Sequence, residues 1–135
     1  MSGLEPAGLF LGRCLLALLF LHEAWAKIVG YEGAVRYTEA FGLPGIALIP
    51  AIALEAIGGV MILAGMGTRI AAFAPGGFCV VTALIFHTSF GDRNQLLHFE
   101  KDLAIAGGFL ILCCRGAGPW SLDAWWGRAQ NVGRT

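Results

Sequence analysis

The chain has 135 residues, of which 57% are apolar and only 13% charged, and its mean hydropathy is +0.72. A soluble domain carries about 25% charged residues, so this composition excludes an ordinary water-soluble fold and points to an integral membrane protein. Nine basic residues balance nine acidic ones and the isoelectric point is near 6.8, so nothing suggests nucleic-acid binding.

The apolar residues fall into blocks at Leu9–Leu21, Leu43–Ala64, Ile70–Phe86 and Leu103–Cys114. A membrane-crossing helix needs about 20 mostly apolar residues. With their flanks, the blocks predict four helices near 6–28, 44–66, 69–89 and 99–116. The expected fold is all-α: one transmembrane four-helix bundle occupying 1–135, with little chain left for a soluble catalytic domain.

Pro6 follows Glu5 where a first-turn proline and an acid suit a helix start. "MSGLEPAGLF" lacks the positive region of a secretory signal. "AWA" at Ala24–Ala26 has the small-residue look of a cleavage site, but Arg13 interrupts the stretch before it and further spans follow, so helix 1 is expected to stay. The next stretch, "GYEGAVRYTEAFGLPG", is too polar to span and reads as a short interfacial helix. "AGMGTR" is a tight turn into the third helix, where Pro75-Gly76-Gly77 predicts a kink or a close helix approach. After the last helix, Trp120, Trp125 and Trp126 mark a tail that sits at the headgroup level.

Four spans put both termini on one side. That side carries Arg13, Arg69, Arg115, Arg128 and Arg134, against Lys27, Arg36, Arg93 and Lys101 opposite, a slight bias toward cytoplasmic termini. The non-terminal side gathers His22, Glu23, Lys27, His87, Arg93, Asn94, His98, Glu100, Lys101 and Asp102.

Glu55 stands inside "IPAIALEAIGGVMILAG", where a charge near a helix centre costs about 2.5 kcal/mol or more. Ala47, Ala51, Glu55 and Gly59 form an i, i+4 stripe of small residues with the acid embedded in it. Such stripes serve close helix contacts in lipid, so Glu55 should face the bundle interior. On helix 1, Glu23 and Lys27 are an i, i+4 pair of opposite sign, and Arg13 lies close to the same face. On the fourth helix, Lys101, Ala104 and Gly108 share a face. Glu55 is therefore expected to meet Lys27, Lys101 or a histidine. Two readings stand: an ion pair that fixes helix docking, or the wall of a site for a polar or redox-active ligand or a proton path.

His22, His87 and His98 have no paired spacing such as H-x3-H, so heme and metal are not favoured. Cys14, Cys79, Cys113 and Cys114 form no C-x-x-C and read as small apolar residues, with a thiol redox role for the vicinal pair as the alternative. The chain shows no nucleophile triad, phosphate loop or nucleotide fingerprint.

The ordered runs "GRCLLALLFLHEAWAKI", "GLP", "ALEAIGGVMILAGMGTRIAA", "HFEKDLAIAGGFLIL" and "GAGPWSLDA" together resemble the DoxX family of small bacterial membrane proteins. The matching positions include Arg13, Lys27, Gly42-Leu43-Pro44, Glu55, Gly58-Gly59, Gly65, Arg69, Lys101, Gly107-Gly108 and Ser121-Leu122-Asp123. The resemblance implies a four-helix inner-membrane protein. Its relatives include the DoxD subunit of a thiosulfate:quinone oxidoreductase and proteins linked to oxidative-stress complexes. His22-Glu23 departs from the small or uncharged residues expected there.

The expectation that follows is a membrane subunit of a quinone-, sulfur- or oxidative-stress-linked redox system. Glu55 and Lys27 would form the core of its site, lined by His22, Glu23, His87 and Lys101, with quinone as the candidate ligand. Arg13, Arg69, Gly58, Gly59, Gly107, Gly108 and Asp123 would hold the structure. The electron-transfer part would belong to partner subunits, and self-association is the other expected contact. The alternative is a non-catalytic scaffold, and after it a proton or small-solute conduit, against which the terminus half offers little polarity beyond Arg13 and Arg69.

Overall fold

The computed structural model describes residues 3–132, so Arg134 lies outside the described residues. Those residues form six α-helices and no strand: α1 Leu4–Val29, α2 Tyr31–Ala40, α3 Leu48–Ala64, α4 Thr68–Phe86, α5 Arg93–Arg115 and α6 Leu122–Val132. A single 3-10 turn, Gly45–Ala47, leads into α3.

Among the described residues three helices are long and apolar enough to cross a membrane: Leu4–Val29, Gly45–Ala64 and Thr68–Phe86, of 26, 20 and 19 residues. α5 is also long, 23 residues, but Glu100, Lys101 and Asp102 crowd its first half. It also starts six residues before the expected position 99. The reason is local. Asp92 accepts the Asn94 backbone N–H through Oδ1 at 2.9 Å, a side-chain N-cap that lets the helix begin inside the polar loop. At the other side of that loop α4 stops at Phe86 and not at 89, because His87 leaves helical geometry with φ −128°.

The remaining boundaries follow equally plain chemistry. Gly65 closes α3 with φ +69°, and Met66 donates to Met61 O at 3.0 Å across it, the left-handed cap that glycine adopts without penalty. The segment after α1 forms the helix α2, which starts past Gly30. The tail after α5 is also helical: Ser121 Oγ accepts the Ala124 N–H at 3.2 Å and starts α6.

α1 packs along α3 and α4 along α5, while α3 also meets α4 and α1 meets α5. Phe20 of α1 and Phe109 of α5 stack edge to face at 5.0 Å at the centre, with Ala17, Ile62, Ala72 and Leu112 around them. Glycines set the close approaches. A Cβ on Gly59 would lie 2.8 Å from Leu21 Cγ, one on Gly58 3.1 Å from Pro75 Cγ, and one on Gly76 3.0 Å from Phe109 Cβ. α4 runs through Pro75 as one helix, so the Pro75-Gly76 pair serves the close approach to α3 and α5. Gly108 faces Leu16 at an ordinary 3.4 Å, and Gly107 faces open space. Outward, Leu11, Leu15, Leu18, Ile57, Val60, Ile70 and Phe73 lie exposed, an apolar belt that lipid covers.

Candidate functional site

The helices leave a cavity of about 650 Å³ at the end of the bundle away from the termini, walled by all five helices from α1 to α5. Its size falls within the roughly 300–1,000 Å³ of small-molecule pockets. The small-residue stripe of α3 explains its presence. Ala47 in the 3-10 turn and Ala51 and Glu55 on α3 line the cavity, and Gly59, one turn further, packs tightly against Leu21 of α1. The stripe thus brings helices together at one end and leaves space at the other.

Glu55 is 4% exposed and sits at the middle of the apolar Gly45–Ala64 stretch. Its Oε1 accepts from Lys27 Nζ at 2.8 Å, across from α1. The same ammonium donates to Glu23 Oε2 at 3.2 Å, one turn back on α1, and Glu23 is half-exposed. One lysine thus serves two carboxylates. Oε2 of Glu55 is closed to solvent and has no hydrogen-bond partner.

The rim is built where the loop between α4 and α5 folds back. His87 Nδ1 lies 2.9 Å from Gln95 Oε1, and its Nε2 lies 3.9 Å from Asp102 Oδ2. The His87 and His98 rings stack at 5.1 Å, and Lys101 Nζ lies 3.3 Å from His98 Nδ1. α2 covers the opposite side, held by the aromatic trio Tyr37, Phe41 and Phe86, whose ring centroids lie 5.0–5.5 Å apart. Phe20, Phe78 and Ile85 add apolar wall.

Glu55, Lys27, Glu23, His87 and Lys101 therefore share one cavity. His22 does not join them: it is exposed on the outer face of α1 and lines no part of it. Gln95, Tyr37, Thr38 and Cys79 line the cavity without having been singled out. Gln95 had a readable signal, since a short loop joining two antiparallel helices must bring His87 back beside the first turn of α5. Tyr37 and Thr38 had none, because the docking of a short amphipathic helix is set by tertiary contacts. Among the described residues no group of three or more His, Cys, Asp or Glu is placed to hold a metal ion, and the four cysteines are free thiols.

At the terminus end the polar residues close the structure up. Arg13, 2% exposed, donates from Nη1 to Ala117 O at 2.6 Å and from Nη2 to Trp120 O at 2.7 Å. Asp123 reaches from α6 to the start of α4, accepting the Gly67 N–H at 2.7 Å and the Thr68 N–H at 2.9 Å. Burial alone would raise the Asp123 carboxyl, but the Thr68 and Gly67 donors and the Arg13 charge together hold it below the usual carboxylate range. Arg69 is exposed and lines a hollow of about 510 Å³ beside this junction. Its carbonyl accepts from Cys113 Sγ at 3.3 Å. Arg115 pairs with Glu5 between the ends of α5 and α1.

Comparison with known proteins places this architecture. No solved structure matches the chain significantly. Inner membrane protein YqjF of Escherichia coli (strain K12) is 43% identical over 123 residues, covering 91% of this chain and 95% of that protein. Inner membrane protein YphA of the same strain is 32% identical over 126 residues, covering 88% and 90%. A Bacillus subtilis (strain 168) protein with a provisional oxidoreductase name, CatD, is 33% identical over 63 residues, 47% of each chain. The DoxX family profile matches residues 8–88, from the start of α1 through the end of α4, and this chain belongs to the DoxX family.

Proposed function

We propose that this DoxX-family chain is a membrane subunit of a redox system in the bacterial inner membrane, and that its cavity holds a small redox-active ligand of the quinone class beside Lys27 and Glu55. The observation that carries the reading is the buried acid at the cavity wall: Glu55 sits at mid-span, 4% exposed, paired with Lys27 at 2.8 Å and lining a 650 Å³ cavity. Ionisable groups in a membrane interior are costly and mark ligand or ion sites by default. The apolar lining, which includes Phe20, Phe78 and Phe86, suits a ring, and Lys27, Lys101 and the imidazoles suit ring oxygens. The names of the relatives, two inner membrane proteins and one provisional oxidoreductase, point the same way.

In this reading α5 is the fourth crossing. Its apolar part, Leu103–Cys114, covers only about 18 Å at 1.5 Å per residue, short of a hydrocarbon core of about 30 Å. Lys101 and Asp102 must then lie inside the bilayer edge, and both line the cavity. α2 and α6 lie in the two interfaces, and the termini face the cytoplasm. The electron-transfer group belongs to a partner subunit.

The test is to purify the protein gently from native membranes and extract it for quinones. Bound quinone that falls at least tenfold in Glu55→Gln and Lys27→Ala, with helicity kept, supports the reading. The rival is a scaffold, favoured by the fact that Lys27–Glu55 ties α1 to α3. A quinone-free protein that retains its partner, and loses that partner in Glu55→Gln, supports the scaffold.

A further inference from the structure

The cavity is walled in two different ways. On the side of the α4–α5 loop the polar groups hold one another: His87 Nδ1 lies 2.9 Å from Gln95 Oε1, its Nε2 3.9 Å from Asp102 Oδ2, and Lys101 Nζ 3.3 Å from His98 Nδ1. On the other side the wall is α2, which contributes Ala34, Tyr37 and Thr38. Among the described residues no side-chain hydrogen bond or ion pair ties α2 to another helix; Thr38 Oγ1 donates to Ala34 O within it. Tyr37 and Phe41 pack on Phe86 of α4, and α2 sits closely on the 3-10 turn, where a Cβ on Gly45 would lie 2.8 Å from Val35 Cγ1. Tyr37 on α2 and Val81 on α4 line the cavity and are themselves half-exposed, as residues at a mouth are.

Resting on the reading of the cavity as a ligand site and of α2 as an interfacial helix, we infer that the ligand is dissolved in the bilayer and enters sideways, between α2 and α4, with α2 as the wall that yields. Lipid tails are as apolar as the side chains they meet, so parting apolar contacts inside a bilayer carries little hydrophobic penalty. Lifting Tyr37 and Phe41 from Phe86 exchanges aromatic contacts for lipid contacts and strands no polar partner. The seat on Gly45 can stay in place meanwhile, because Val35 and Tyr37 stand about 200° apart around α2. A route past the loop would instead break the His87–Gln95 contact, part the His87–His98 stack and draw an apolar molecule across Lys101 and Asp102. The route selects the ligand: a neutral amphiphile that partitions into lipid, and not a water-soluble metabolite.

The experiment reads access to the cavity without its ligand. The full chain, with its four cysteines replaced by alanine, carries Ala51→Cys as a reporter on the cavity wall and is placed in lipid nanodiscs. N-cyclohexylmaleimide, which dissolves in the bilayer, and a sulfonated maleimide, which stays in water, are the probes. Each labelling rate is divided by that probe's rate at Ser89→Cys in the exposed loop. The expected ratio favours the bilayer probe at least tenfold. Phe41 lines no part of the cavity, so Phe41→Ala loosens α2 without cutting a hole, and should speed the bilayer probe at least fivefold. His98→Ala, on the loop side, should leave it within twofold. Equal access for both probes, faster access of the sulfonated one, no labelling of folded protein, no acceleration by Phe41→Ala, or a larger one by His98→Ala would each overturn the inference. The probe ratio decides even if Phe41→Ala does not fold. No quinone is used, so the two readings fail separately: a portal in a quinone-free protein upholds entry from the bilayer for another amphiphile, and bound quinone without a portal overturns the entry route alone.

Discussion

The two ends of the bundle each bury a charge, and they treat it in opposite ways. Arg13 is enclosed by fixed backbone: two carbonyls of the α5–α6 connection accept its guanidinium at 2.6 and 2.7 Å, and Gly65 passes so close that a Cβ there would lie 2.9 Å from Nη1. Glu55 is met by a single flexible lysine that it shares, and it borders empty space. A guanidinium has several fixed donors and suits a site where backbone must be gathered, even though Arg13 Nε is left without a partner; Glu55 has no backbone partner and lines a cavity. In the proposed reading the difference separates a charge that holds the structure together from one that lines a ligand site.

The largest way to break that comparison is at the closed end. Arg13→Met removes both charge-assisted bonds and strands two carbonyls, so a loss of about 3 kcal/mol is expected. Thermal unfolding in detergent should show it, while quinone retained by the folded fraction stays at the wild-type level. If Arg13→Met instead lost ligand without losing stability, the division of labour between the two ends would be wrong.

The sequence made the apolar spans and the burial of Glu55 legible because lipid imposes its demands on single residues: a run of about 20 apolar positions, or a lone acid within one, stands out by itself. The partner of Glu55 was left among Lys27, Lys101 and a histidine, and the structure gives Lys27. What stayed hidden depends on relations between distant segments. Arg13 bonds to carbonyls more than a hundred positions away, and carbonyls carry no mark in a sequence. His22 looked equivalent to its neighbour Glu23, yet 100° per residue around α1 puts it on the outside. The stripe at Ala47, Ala51, Glu55 and Gly59 read as one continuous contact, but small side chains leave room as readily as they allow approach, and the outcome depends on what the facing helix supplies.

A smaller effect sharpens the comparison through pH. Asp123 has a depressed carboxyl, so its contribution to folding is complete above the unfolded value of about 3.9 and disappears as pH falls through the lower folded value. Asp123→Asn keeps one acceptor and loses the other, so it should cost about 1 kcal/mol at neutral pH, the net worth of one hydrogen bond, and the variant should approach wild type only as pH falls below the unfolded value of about 3.9. Convergence that begins near pH 6 would assign the acid sensitivity to another group.

The smallest chemical change, a single methyl added to glycines on either side of the division between contact and space, sharpens the comparison further. Gly59→Ala places a Cβ 2.8 Å from Leu21 Cγ and 3.4 Å from the Leu21 backbone N, at the point where α3 closes on α1 just below the cavity. Relief requires the two helices to part, so about 1–3 kcal/mol of destabilisation is expected, the usual cost of overpacking, together with weaker ligand retention as Glu55 is carried away from Lys27. Gly107→Ala meets nothing within 4 Å and gains helix propensity, so its midpoint should match or slightly exceed that of wild type. If instead Gly107→Ala were the costly change of the two, its open face must be covered in the membrane by another molecule, and a shift in oligomeric size on the same sample would distinguish a second copy of this chain from lipid.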